Sequence, residues 1–332
     1  MASTAAETVA SVSQANMEET ISYLESLGTR EFHTEGATQA AEFIFDEFEA
    51  MGLDVQRQDF ELDSVTVSNI VAVIQGTSED AGVCLVGAHY DSENGLVDTY
   101  EEALTIPAPG ADDDASGVAA VLEAARVLAS SGVSPESTVK FVAFGAEEMG
   151  YDNTGGTAGS SYFVQQEVAA DVEYESSAIL DMIGYRDGSE NIISLIKGYN
   201  TDPLSVAFVS AVDEYGLDLR VDEYTAAWAT YSDHSSFWDA DYPSFLVIEE
   251  MDPDELMPVN PYYHTSGDTL QSLSLEQVVV VTQALVGGML ELAWPEEEVD
   301  GTQTGVVVTG AAAGVGGIAI AAYYIRKRRS GQ

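Results

Sequence analysis

Residues 82 to 88 read G-V-C-L-V-G-A and run directly into His89-Tyr90-Asp91. An apolar run of this length is too short for a helix of its own. Bounded by turn residues, it reads as a strand buried on both faces. The same pattern recurs at Thr138–Phe144 and Ser177–Leu180. Each run ends beside a residue that can do chemistry: His89, the pair Glu147-Glu148, and Asp181. Helical spacing falls between and around these strands, at Thr20–Leu27, Gly36–Met51, Gly117–Ala129, Ser160–Val168, Asp202–Tyr215 and Leu275–Leu292. Ser274 and Gln277 offer a capping box for the last of them. Asp54–Leu62 and Ser64–Ile74 predict a hairpin, and Asp218–Asp222 and Ser244–Glu249 two more strands. Strands alternating with helices predict a three-layer α/β/α sandwich around a central, mostly parallel mixed sheet. In such sheets, sites form outside the carboxyl ends of the strands. All three apolar runs meet that condition.

The stretch Pro109–Gly117, P-G-A-D-D-D-A-S-G, lies between the first two of these strands. Three adjacent carboxylates repel one another. The sequence allows two explanations: an acidic helix N-terminus, or a bound cation. Together with the strand ends and a late histidine, it yields five candidate ligands: His89, Asp113, Glu148, Asp181 and His264. Imidazole and carboxylate without thiolate suits Zn²⁺. Two such ions ~4 Å apart repel by on the order of 20 kcal/mol at an effective dielectric near 20, so a carboxylate must bridge them. Neighbouring Glu147 and Glu148 cannot easily reach the same ion. One can ligate while the other stays free as a general base.

The ordered set H-Y-D, G-A-D-D-D-A-S-G, A-E-E, L-D-M and Y-H-T-S-x-D-T resembles the co-catalytic di-zinc aminopeptidases, the bacterial secreted leucyl-type enzymes. Carboxypeptidase Q, glutamate carboxypeptidase and glutaminyl cyclase are relatives of that family. The resemblance spans about residues 15–293. It implies two Zn²⁺ per chain with Asp113 bridging, His89 and Asp181 completing one site, and Glu148 and His264 the other. It also implies Glu147 as the general base acting on a metal-bridging hydroxide, and Asp91 as the partner of the His89 ring. Asp233, within S-D-H-S-S-F, would support the site, and Tyr263 would hold the substrate's amino end or carbonyl. A cis peptide is implied at Asp113–Asp114. The implied activity is zinc-dependent removal of N-terminal residues from peptides. Two other readings are a glutaminyl-cyclase-like acyl transfer with a single zinc, and a non-catalytic surface module on a peptidase fold. The long acidic loop Ser92–Pro107 departs from the family, so side-chain preference does not carry over. The cysteines that some relatives have near S-D-H are absent. His33 and His234 read as hydrogen-bonding rather than ligating, and Trp228 and Trp238 as a pocket wall or ordinary core.

The chain has 332 residues, 57 acidic against 11 basic, and a net charge of −46. That charge argues against nucleic acid and anionic lipid as partners of the main body. Acids spread along the whole length, with only three lysines, predict a protein adapted to salt water. The single cysteine, Cys84, permits no intrachain disulfide and reads as buried core.

The expected layout is a flexible N-terminus (1–14), a peptidase domain (15–294), a polar linker (295–304), a transmembrane helix (305–325) and a basic cytoplasmic tail (326–332). Residues 301–325 carry no charge and are followed by Arg326-Lys327-Arg328-Arg329, which predicts a membrane anchor with the acidic body outside the cell. Gly310 and Gly314 form a G-x-x-x-G that can support weak self-association. The N-terminal segment lacks the features of an export signal, so the expectation is an upstream start or a removed signal.

Overall fold

A computed structural model of the chain describes residues 4–78, 80–132, 134–150, 155–199 and 202–294. All of these belong to one compact unit, Met1–Trp294. The predicted anchor at 305–325 and the basic tail lie outside the described residues.

Eight strands form one sheet: β1 (Asp54–Leu62), β2 (Val65–Ile74), β3 (Val83–His89), β4 (Thr138–Phe144), β5 (Tyr174–Leu180), β6 (Ile192–Lys197), β7 (Arg220–Thr225) and β8 (Phe245–Glu249). Their order across the sheet is β1-β2-β4-β3-β5-β8-β6-β7. β4, β3, β5 and β8 run parallel to one another, as do β6 and β7. The β1–β2 hairpin, its junction with β4, and the β6–β8 pair are antiparallel. The sheet is therefore mixed and mainly parallel, as predicted.

The helices are α1 (Ala5–Ala10), α2 (Gln14–Ser26), α3 (Glu35–Ala50), α4 (Tyr100–Ala103), α5 (Ala115–Ser130), α6 (Ala158–Ala169), α7 (Pro203–Glu214), α8 (His234–Asp239) and α9 (Leu275–Ala293). Alternation along the strands divides the core in two. Val139, Phe141 and Ala143 of β4 join a cluster with α1, α2, α3, α5, α7 and α9. Val142 and Phe144 face the other way, toward Phe163 of α6 and Phe237 of α8. Side chains alternate across a strand, so continuous apolar runs are what a sheet covered by helices on both faces requires.

Several features differ from the sequence reading, among them the short α4 inside the stretch Ser92–Pro107, which reads as a loop in the sequence. Residues 5–10 of the segment predicted to be flexible form a helix, with Thr4 and Glu7 closing a capping box and Val9 and Val12 buried in the core. β6, I-I-S-L-I-K, lies inside the sheet but was not predicted, because a six-residue run gives little periodicity. The short α8 was also not predicted. Ser274 does cap α9, accepting from the Gln277 N–H, but the Gln277 side chain does not complete the box. It turns inward, accepting from Ile192 N–H and donating to the carbonyls of Ile183 and Tyr185.

α9 is the one helix among the described residues that is long and apolar enough to cross a membrane by length and composition. Its buried residues, from Val278 to Ala293, pack in the domain core, which accounts for that composition.

Candidate active site

The parallel register of β4, β3 and β5 delivers three of the predicted site residues side by side. His89, the last residue of β3, is opposite Phe144 of β4, and Gly87 is opposite Ile179 of β5. Asp181 therefore emerges level with His89, and Glu147-Glu148 just beyond β4. The turn that carries the glutamate pair is tight. Ala146 sits at φ 58°, and a Cβ on Gly145 would lie 2.6 Å from both Tyr90 Oη and Val67 Cγ1.

The three adjacent aspartates do different work. Asp114 caps α5, its Oδ1 accepting from the N–H groups of Gly117 (2.9 Å) and Met182 (3.2 Å), and its Oδ2 from His89 N–H (3.3 Å). Asp112 accepts from Gly184 N–H, Tyr185 N–H, Ser116 Oγ and Asn260 Nδ2. Asp113 alone faces the cleft. The peptide between Asp113 and Asp114 is cis, as the resemblance implied. Asp268 holds this loop from the far side, accepting from Asp112 N–H (2.9 Å) and Asp113 N–H (3.1 Å).

Asp113 lies between the two histidines. Its Oδ1 is 3.2 Å from His89 Nε2 and its Oδ2 is 3.2 Å from His264 Nε2. His89 Nε2 also faces Asp181 Oδ1 at 3.5 Å, and His264 Nε2 faces Glu148 Oε2 at 3.1 Å. All five predicted ligands thus converge, in two groups that share Asp113. Asp91 Oδ1 stands 3.5 Å from His89 Nδ1. Its two oxygens also accept from the N–H groups of Glu147 and Glu148, each at 3.1 Å, so the same carboxylate aims the glutamate pair.

Glu147 is buried with no hydrogen bond to its side chain among those described, and burial, reinforced by Asp233, Glu148 and Asp181, holds its carboxyl well above the usual range. Asp233 is fully buried, and desolvation pushes it up to about 7. The Tyr263 ring stacks on His264 with centroids 3.8 Å apart. His33 and His234 lie outside both groups. His33 Nδ1 meets Glu31 Oε1 at 2.7 Å, and His234 Nε2 donates to the Ala229 carbonyl. Trp228 is exposed, whereas Trp238, within α8, packs on the core and donates to the Ser244 carbonyl. The two do not share the wall that their sequence positions suggested.

The sequence reading did not assign roles to Asp112, Asp114, Asp268, Arg30 and Glu93. Arg30 is fully buried and donates to the carbonyls of Leu24, Tyr90, Pro109 and Gly110, fixing the entry to the aspartate loop. A buried arginine spent on carbonyls leaves no local signature. Glu93 could have been found two residues past Asp91. It lines a cavity of about 250 Å³ with Glu31, Asn94, Val97, Ile106 and Met149, formed partly by the long acidic loop.

The donor set fits divalent cations. One imidazole Nε2 cannot donate to two carboxylates at once, yet each histidine presents its Nε2 to two. Asp181 Oδ1 and Glu148 Oε1 are buried without hydrogen bonds, and Arg30 is already committed to carbonyls. Burying so many unpaired carboxylates is prohibitive unless positive charge joins them. His89, Asp113 and Asp181 form one potential metal-binding group, and Glu93, Glu148 and His264 another.

The chain is similar over most of its length to known peptidases. Residues 69–287 match Peptidase family M28. Leucine aminopeptidase 1 of Coccidioides posadasii is 29% identical over 301 residues, covering 86% of this chain and 72% of that protein. The LapA aminopeptidase of Legionella pneumophila superposes with a TM-score of 0.73 at 26% identity, covering 87% of this chain and 74% of its own. A zinc aminopeptidase from Bacillus subtilis shares the fold at a TM-score of 0.70 and 18% identity, covering 86% of this chain and 96% of its own. With the family match extending over well more than half the sequence, the chain belongs to peptidase family M28 and is a peptide hydrolase.

Proposed function

We propose that the protein is a zinc aminopeptidase, with His89, Asp113 and Asp181 holding one ion, Asp113, Glu148 and His264 a second, and Glu147 as the general base. The observation that carries this reading is Asp113, with one oxygen at 3.2 Å from each histidine Nε2. That is the placement a shared ligand needs. Bound zinc would polarise a peptide carbonyl and acidify a water molecule.

The chain's own residues do the rest. Asp91 anchors the backbone of Glu147 and Glu148 and so fixes the turn from which both side chains project. Glu147 takes a proton from the attacking water and returns it to the leaving amine nitrogen. Glu147 is buried, which shields the held proton from bulk solvent between the two steps. Tyr263, stacked on His264 and partly exposed, would meet the substrate's amino end or carbonyl.

Glu147→Ala should lower kcat by on the order of 10³-fold while zinc content stays that of the wild type. Activity within tenfold of wild type would remove Glu147 as the base.

The uncharged run 305–325 and the basic residues 326–329 support an anchored enzyme with its catalytic domain outside the cell. Gly310 and Gly314 would allow weak pairing of such anchors.

A further inference from the structure

The second group contains a carboxylate that the proposed mechanism leaves unused. Glu93 lies on the loop leaving β3, with its side chain 17% exposed. Its Oε1 stands 3.3 Å from His264 Nδ1, and its Oε2 accepts from Gly150 N–H at 3.0 Å. The opposite ring nitrogen, His264 Nε2, faces Asp113 Oδ2 at 3.2 Å and Glu148 Oε2 at 3.1 Å. An imidazole that lends the Nε2 lone pair to a cation must carry its proton on Nδ1. Glu93 is the carboxylate that faces that proton. Its recorded approach to the ring is on the Nδ1 edge, at 3.3 Å.

The same loop holds His264 a second time, because Gly95 N–H donates to the His264 carbonyl at 3.0 Å. This anchoring answers a local difficulty. His264 is a non-glycine residue at φ 53°, and its side chain is 21% exposed, against 2% for His89. His89 sits on a central strand and needs little further support. His264 sits on an irregular segment and must be fixed from outside. The arrangement parallels the first site, where Asp91 faces His89 Nδ1 and grips the N–H groups of Glu147 and Glu148. Two acids at alternate positions on one loop thus serve the two histidines, and both bind the 147–150 turn.

We propose that Glu93 is the positioning residue of His264: it accepts the Nδ1 proton, directs Nε2 between Asp113 and Glu148, and ties the ring to the turn carrying the glutamate pair. This rests on the reading of His264 as a ligand.

The test uses the full chain and the variants Glu93→Ala, Glu93→Gln and His264→Ala, with zinc affinity and stoichiometry measured by chelator competition. Glu93→Ala should bind one zinc as the wild type does and the other about 10–100-fold more weakly. Its lost activity should return as zinc is added. Glu93→Gln retains a carbonyl acceptor of nearly the same shape and should recover most of the affinity. In ¹⁵N NMR of the zinc-loaded wild type, His264 should show a proton on Nδ1 in slow exchange with solvent, and Glu93→Ala should lose that protection. Unchanged affinity for both ions in Glu93→Ala would overturn the proposal. So would a Glu93→Gln as defective as Glu93→Ala, which would make Glu93 a direct ligand. If His264→Ala keeps both ions at full affinity, the ligand reading itself fails, and the role of Glu93 with it.

Discussion

At the scale of single residues, the D-D-D triplet shows how one sequence feature can hold two explanations that are both correct. Asp114 is the helix cap that a cautious reading would choose, and Asp113, one residue away, faces the histidines. Asp112 and Asp114 collect backbone N–H groups from β3, from the segment after β5 and from α5, and so hold Asp113 in place. Next to Asp233, His234 gives a testable pH effect. Burial depresses it from 6.5 to about 4. The folded chain therefore keeps this ring neutral while the unfolded chain would protonate it. Stability is complete above about pH 6.5 and is lost as pH falls toward 4, by up to about 3 kcal/mol. Urea unfolding should show the wild type losing more stability over that range than His234→Gln, whose amide can still donate to the Ala229 carbonyl. Parallel pH profiles would contradict it.

At the scale of elements, the site depends on strand neighbours that are not neighbours in sequence. β4 lies next to β3, and β5 on its other side, so three strand ends converge from positions 89, 144 and 180. The strands were legible because burial on both faces leaves few polar residues in them, Lys140 of β4 and Ser176 and Ser177 of β5 being exceptions. β6 and α1 were missed because six residues scarcely register a period, although the T-A-A-E that starts α1 is a capping-box pattern. The expected anchor is also an element-scale matter. If 305–325 spans a membrane with the body outside, protease added to intact cells should digest the 15–294 domain, and alkaline extraction should leave the full chain in the membrane. A domain protected from external protease would reverse the orientation.

At the scale of the whole molecule, charge is the dominant feature. With 57 acidic residues against 11 basic ones, the folded surface repels itself at low ionic strength. Several surface cations are already paired, Arg220 with Glu190, Asp222 and Glu250 among them. Raising salt from about 0.1 M to about 2 M shortens the Debye length to a few ångströms and should raise Tm by several degrees or more. A Tm that is flat or falls with salt would count against adaptation to salt water. Cys84, buried at 0% exposure, takes no part in this behaviour.

The sequence by itself determined the layer architecture, the buried strands and the identity of the residues that meet, because burial patterns and motif order are properties of the chain taken locally. It also held, in the interval between Asp91 and Glu93, a repeat that becomes intelligible only once the two histidines are seen at opposite ends of one carboxylate. The tertiary structure alone decided how Asp112 and Asp114 hold Asp113 in place and how Arg30 fixes its loop. It likewise decided that Gln277 leaves its cap to serve the sheet, and that Glu93 faces the far edge of His264. Each of these depends on hydrogen bonds between residues tens to hundreds of positions apart, whose directions are set by strand order and register, which no local pattern encodes.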